Sequence, residues 1–167
     1  MRNGDGLPMD VVRGAVAGLA ATWVMGLVTA YLYEHEDETA RGREDAARGG
    51  RTAYDVAAGK LADVTGARLS DDERQKLGSL MHWLLGAGAG AAYGALRNRV
   101  PSADAGHGLA FGAAFWGVVD EGANPALGLT PGPRRFPWQT HARGLVGHLV
   151  FGVVAETVLG LSDRLTA

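Results

Sequence analysis

The chain has 167 residues, the size of one ordinary domain. Sixteen basic against 18 acidic residues leave a formal charge of −2, too balanced to point to nucleic acid or an acidic ligand. There is no cysteine, which excludes disulfides, thiolate metal sites, iron–sulfur clusters and thiol nucleophiles together.

A mean hydropathy of −0.01 hides two populations, because 28 Ala and 26 Gly are concentrated in a few uncharged stretches. The first runs from Gly14 to Tyr33 without a charge. At roughly 1.5 Å per residue it reaches about 30 Å, the thickness of a bilayer's hydrocarbon core. It is too long for a cleaved signal peptide and lacks a basic leader and a small-residue cleavage site. A polar connecting segment, 34–73, follows. It opens on the acidic cluster Glu34-His35-Glu36-Asp37-Glu38, read as a solvated loop. Tyr54, Ala57, Ala58, Leu61 and Val64 recur at helical spacing and predict a short amphipathic helix that stops at Gly66. Ser70-Asp71-Asp72-Glu73 fits a capping box, so the next helix starts near Asp71 and runs into the second apolar stretch, Leu77 to Leu96. Ala105 to Val119 is the third stretch and ends on Asp120-Glu121. Gly122 to Gln139, with Pro125, Pro131, Pro133 and Pro137, is predicted as a loop. Gly144 to Ser162 is the fourth stretch, interrupted by His148 and Glu156.

The expected fold is therefore all-α: a bundle of four transmembrane helices over 10–33, 74–97, 105–121 and 141–162, in a single integral membrane domain. Tyr31, Tyr33, Trp83, Trp116 and Trp138 gather towards span ends, as a membrane interface favours. The alternative is a soluble Gly/Ala-rich helical bundle. Packing is written at four-residue spacing: Gly14, Gly18, Thr22, Gly26 and Ala30; Gly86, Gly90 and Gly94; Gly108 and Gly112; Gly144, His148, Gly152 and Glu156. Glycine costs about 1 kcal/mol against alanine inside a helix. Its repetition here predicts close backbone approach, the way helices associate in lipid. The same faces would also serve a homo-oligomer.

In an up-and-down topology one membrane face collects Glu34, His35, His82, Asp120, Glu121, His141 and His148. Ionisable groups are expensive inside a membrane and mark a functional site by default. The candidate proton-responsive site is His82, Asp120, Glu121, His141, His148 and Glu156. Two turns deeper than His148, a Glu156 without a partner would take up a proton, which leaves a proton-accepting role open. His107, near the opposite face, reads as structural. A divalent metal, zinc or iron, is the alternative use of His82, His148, Asp120 and Glu121. His141 and His148 cannot share one ion on a regular helix, since seven residues separate them by roughly 10.5 Å. No catalytic constellation stands out: no serine sits in a nucleophile elbow, and Gly86-Ala87-Gly88-Ala89-Gly90 follows no strand, so it is no dinucleotide signature. No organic cofactor is expected.

Asp120-Glu121, Pro125, Gly128-Leu129-Thr130-Pro131, Pro137-Trp138, His141, Gly147-His148 and Glu156, with His82 ahead of Tyr93-Gly94, resemble the YagU family of bacterial inner-membrane proteins over residues 77 to 160. One departure is Asp120-Glu121, where the family carries His-Glu. The resemblance implies the cytoplasmic membrane and a role in acid-stress resistance. It also favours cytoplasmic termini, although the face bearing the two longer loops carries 11 of the 16 Lys and Arg. The preferred reading is a non-enzymatic membrane protein with a proton-responsive polar site. A metal-dependent membrane enzyme or carrier is the competing one. Lipid is the expected partner in both, nucleic acid in neither.

Overall fold

The computed structural model describes residues 6–166, and among these there are helices and no strand. Helix α1 (Leu7–Glu34) takes Pro8 in its first turn, where a missing N–H costs nothing. The acidic cluster turns between helices, and an unexpected helix α2 (Glu38–Arg48) follows it: the Asp37 carboxylate accepts from the N–H groups of Thr39 and Ala40, and Gly49 stops the helix at φ +61°. Helix α3 (Ala53–Thr65) is capped by a Thr52–Asp55 box and ends at Gly66, φ +71°. Helix α4 (Asp71–Leu96) begins at the Ser70–Glu73 box.

The third apolar stretch behaves differently from expectation. Gly106, His107 and Gly108 all have positive φ, so α5 (Leu109–Val118) starts at 109 and not at 105. It runs into a π turn (Val119–Ala123) and a further helical turn, α6 (Asn124–Ala126). A 3-10 turn (Pro133–Arg135) precedes α7 (Trp138–Thr166). Among the described residues two helices, α1 and α7, are long and apolar enough to cross a membrane, not four. Helix α4 is diluted by its charged first turn and its Gly/Ala content, and α5 spans only 10 residues before the π turn.

Helix α1 packs against α4 and α7, α5 against α7, and α3 against α4. The glycine rows lie in these seams. A β-carbon on Gly14 or Gly18 would collide with the carbonyls of Gly90 or Gly86, and one on Gly94 would meet the Asp10 carbonyl, so α1 and α4 run antiparallel at backbone contact. Gly108 and Gly112 likewise meet Gly152 and the His148 carbonyl, and the position above Gly144 is filled by Trp116 and Asp120. Gly26 and Gly160 face open space. Between the seams lies a core of Ala17, Ala21, Tyr93, Phe151, Ala155 and Leu159.

The large apolar side chains point the other way. On α1, Ala17 and Ala21 are 0% exposed, whereas Val16 is 58%, Trp23 60% and Leu27 54% exposed. Leu80, Leu84, Val118, Val146 and Leu161 are also exposed.

Candidate functional site

A recess of about 550 Å³ opens between α1, α4, α7 and the π turn, covered by α2, the start of α3 and the proline-rich loop. His82, Asp120, Glu121, His141 and His148 all line it. Adjacent residues on a regular α-helix point about 100° apart. The π turn is what carries both Asp120 and Glu121 at the recess, and such turns are frequent at functional sites.

His141 has acceptors at both nitrogens: Glu121 Oε1 lies 2.6 Å from Nδ1, and the Pro133 carbonyl lies 3.1 Å from Nε2. A carbonyl only accepts, so Nε2 carries hydrogen, and the contact to Glu121 then requires a second proton between Nδ1 and the carboxylate. The pair holds that proton and ties the proline-rich loop to α7. His148 is different. Its Nδ1 donates to the Gly144 carbonyl at 2.9 Å, which leaves the neutral ring's lone pair on Nε2, and Asp120 Oδ2 stands 3.7 Å from Nδ1. His82 packs edge-on against Tyr54 at 4.9 Å between ring centroids, and its Nδ1 is buried with no hydrogen-bond partner among the described residues. The Tyr54 hydroxyl is pushed up to about 12 by burial and by the Asp120 charge, so it stays protonated and available as a donor.

The cover is held by charge. Arg143, at the start of α7, bridges Glu36 and Glu44 and lies over the Tyr33 ring at 4.9 Å. Glu44 also pairs with Arg48 at 2.6 Å and accepts from the Thr140 hydroxyl at 2.7 Å. Burial pushes the Glu44 carboxyl up, but the bonds from Arg143 and Thr140 and the charge of Arg48 outweigh it and hold it below its ordinary value. Lys60 of α3 donates to the Leu127 carbonyl at 2.7 Å and secures the loop from the other side.

Glu156 lies apart from the recess, and it is not the unpartnered acid that the sequence suggested. It accepts from the Tyr93 hydroxyl at 2.7 Å and pairs with the buried Arg97 at 3.3 Å; Arg97 also holds Asp163. This buried ion network braces α4 against α7. His35 bonds the Tyr31 carbonyl and Glu34 is exposed, so neither joins the recess. His107 contacts the Thr157 hydroxyl at 3.1 Å, at the far end. Among the described residues no three His, Asp or Glu side chains converge as a metal ion demands. Of the four residues considered for a metal, Glu121 is taken by His141, whereas His148, with Nδ1 donated to the Gly144 carbonyl, keeps its Nε2 lone pair. The recess residues that sequence reasoning passed over are Glu44, Arg48, Asn124 and Arg143. The role of Arg143 depends on partners 99 and 107 positions away, Glu44 and Glu36.

Fold and site together define a class: an all-helical protein with glycine-seamed long helices, apolar outer faces and one charged, histidine-bearing recess. The chain belongs to DUF1440, a protein family of unknown function, whose profile matches residues 58–157. The match takes in His82, Asp120, Glu121, His141, His148 and Glu156 and leaves α1 and α2 outside. No curated protein and no solved structure matches the chain.

Proposed function

We propose that this is a multi-pass protein of the bacterial cytoplasmic membrane, not an enzyme, whose recess responds to protons at one membrane face. In this reading α1, α4, α7 and the composite helix from Leu109 to Ala126 all cross the bilayer. The observation that carries it is the inverted burial: Gly and Ala fill the seams while Val16, Trp23, Leu27, Leu84 and Leu161 face outwards. In water each such side chain, being 52–61% exposed, forgoes a part of the roughly 1.5–3 kcal/mol that full burial brings; in lipid the arrangement costs nothing.

The recess fits sensing better than conduction. Below His148, Phe115 stacks on the imidazole at 4.8 Å and on Phe151 at 5.2 Å, and Tyr93 meets Phe111 at 4.6 Å. These rings lie between His148 and Glu156, and among the described residues the hydrogen bonds of His148, to Gly144, and of Glu156, to Tyr93 and Arg97, do not join. The YagU resemblance supplies the physiological setting, acid stress, and favours cytoplasmic termini with the recess facing outwards.

Alkaline carbonate washing tests the membrane reading: the protein stays in the membrane fraction, and its release would overturn the reading. Acid survival tests the role. His82→Ala and His148→Ala should each lower it, and unchanged survival in both removes the proton role. Metal analysis addresses the competing enzyme or carrier: stoichiometric zinc or iron in the purified protein, lost in both variants, would replace this proposal. A carboxy-terminal topology reporter reads the orientation.

A further inference from the structure

We propose that the recess binds a small organic cation rich in N–H donors, a primary ammonium or guanidinium ion, with Asp120 as its counter-ion. This rests on the recess being the functional site, as proposed above. The argument is a polar audit of the lining. Glu44 is saturated by Arg143, Arg48 and Thr140. Glu121 is held by His141 at 2.6 Å, and Asp45 accepts from the Tyr33 hydroxyl at 2.9 Å. Asp120 is left over. Its nearest partners are the Asn124 amide at 3.4 Å and His148 Nδ1 at 3.7 Å, and that nitrogen is already committed to the Gly144 carbonyl.

The His148 imidazole beside it adds an acceptor, the lone pair on Nε2. His148 has a side chain only 6% exposed, lines the recess and has no hydrogen-bond partner for Nε2 among the described residues. His82 Nδ1 is buried and unpartnered. A buried polar atom left without a partner is costly. The missing component therefore brings hydrogens and positive charge. An anion would face the Asp120 carboxylate. A bare metal ion would need three ligands within one coordination sphere, and no such group forms among the described residues. An ammonium or guanidinium ion points its N–H groups in several directions and can donate to Asp120 and an imidazole together.

The walls favour the same class. Two aromatic rings of the recess already carry guanidinium groups, Tyr33 under Arg143 at 4.9 Å and Phe136 under Arg48 at 5.8 Å. Trp116 and Tyr54 line it without such a partner among the described residues, leaving aromatic faces for a further cation. About 550 Å³ accommodates a ligand of several heavy atoms.

The test is calorimetric titration of the full chain in detergent with three probes of similar size. n-Butylammonium should bind. n-Butanol, lacking the charge, and tetramethylammonium, lacking N–H donors, should each bind at least tenfold more weakly. Asp120→Asn should weaken n-butylammonium at least tenfold. Equal binding of n-butanol or tetramethylammonium, no binding of n-butylammonium, or unchanged binding in Asp120→Asn would each overturn the proposal. Should Asp120→Asn not fold, the three-probe series on the unaltered chain decides alone. Acid survival and this titration are separate readouts, so a failed sensing role and a failed cation site are told apart.

Discussion

Gly90 sits where two backbones touch: a β-carbon there would strike the Gly14 carbonyl and the Gly18 α-carbon, and neither can move without shifting α1. Gly26, on the same α1 row as Gly14 and Gly18, has nothing within 4 Å. The four-residue spacing therefore does not distinguish a seam glycine from an outward one, and only the partner helix does. Gly90→Val should destabilise the fold by about 1–3 kcal/mol or more through overpacking. Gly26→Ala should be neutral or stabilising by up to about 1 kcal/mol through helix propensity. Reversible unfolding in mixed micelles measures both; equal effects would mean the α1–α4 seam is not close-packed. The histidines are distinguishable at this scale too. Nitrogen NMR should find His148 as the Nδ1–H tautomer, bonded to Gly144, and His141 sharing or holding a second proton beside Glu121. A His148 ring protonated only at Nε2 would contradict the Gly144 bond.

Among the elements, those announced by local chemistry were legible and those made by distant partners were not. Ser70-x-x-Glu73 marks the start of α4, and Gly66 marks the end of α3, because capping oxygens and left-handed glycines act within a turn. Helix α2 was invisible as a packed element. The acidic residues on it and just before it read as solvated until Arg143 arrives from α7 to pair with Glu44 of the helix and Glu36 ahead of it, whose side chains are 3% and 9% exposed. Of the six residues named from sequence as the proton-responsive site, all line one recess except Glu156, whose partners Tyr93 and Arg97 lie 63 and 59 positions away. The π turn was equally unreadable, since Val-Asp-Glu-Gly-Ala carries no signal for an i→i+5 bond. The docking of α2 has a pH consequence. The folded-state value of Glu44 is depressed, so its contribution is present above the ordinary carboxylate range and fades as pH falls through the lower folded value. Limited proteolysis at Arg48 and Arg51 should thus accelerate in strong acid and not in mild alkali. Arg143→Met should produce the same cleavage at neutral pH, because it leaves the buried Glu36 carboxylate unpaired, at a cost of about 3–5 kcal/mol, and takes from Glu44 one of its two arginines. Protection unchanged in Arg143→Met would mean that something other than this ion cluster holds α2.

For the whole molecule, the decisive quantity is the medium against which Val, Leu and Trp are turned. A water-soluble bundle of the same helices would rotate α1 so that Val16, Trp23 and Leu27 faced α4 and α7, and the glycine seam would open. That seam allows one helix face only, so the outer surface is fixed once Gly14 and Gly18 meet Gly86 and Gly90. The four tryptophans report on this from known positions. Trp23, near the middle of α1, is 60% exposed, Trp138, at the first residue of α7, is 72% exposed, and Trp83 is 36% exposed, whereas Trp116 lines the recess. In single-tryptophan variants reconstituted with lipids brominated at mid-chain, Trp23 should be quenched most and Trp138, at the rim, less. Trp116 should be nearly insensitive to the lipid yet open to acrylamide from the aqueous side. Trp23 responding to acrylamide as strongly as Trp138, with no effect of brominated chains on either, would put water against the outer face of α1. The four-span reading would then fail.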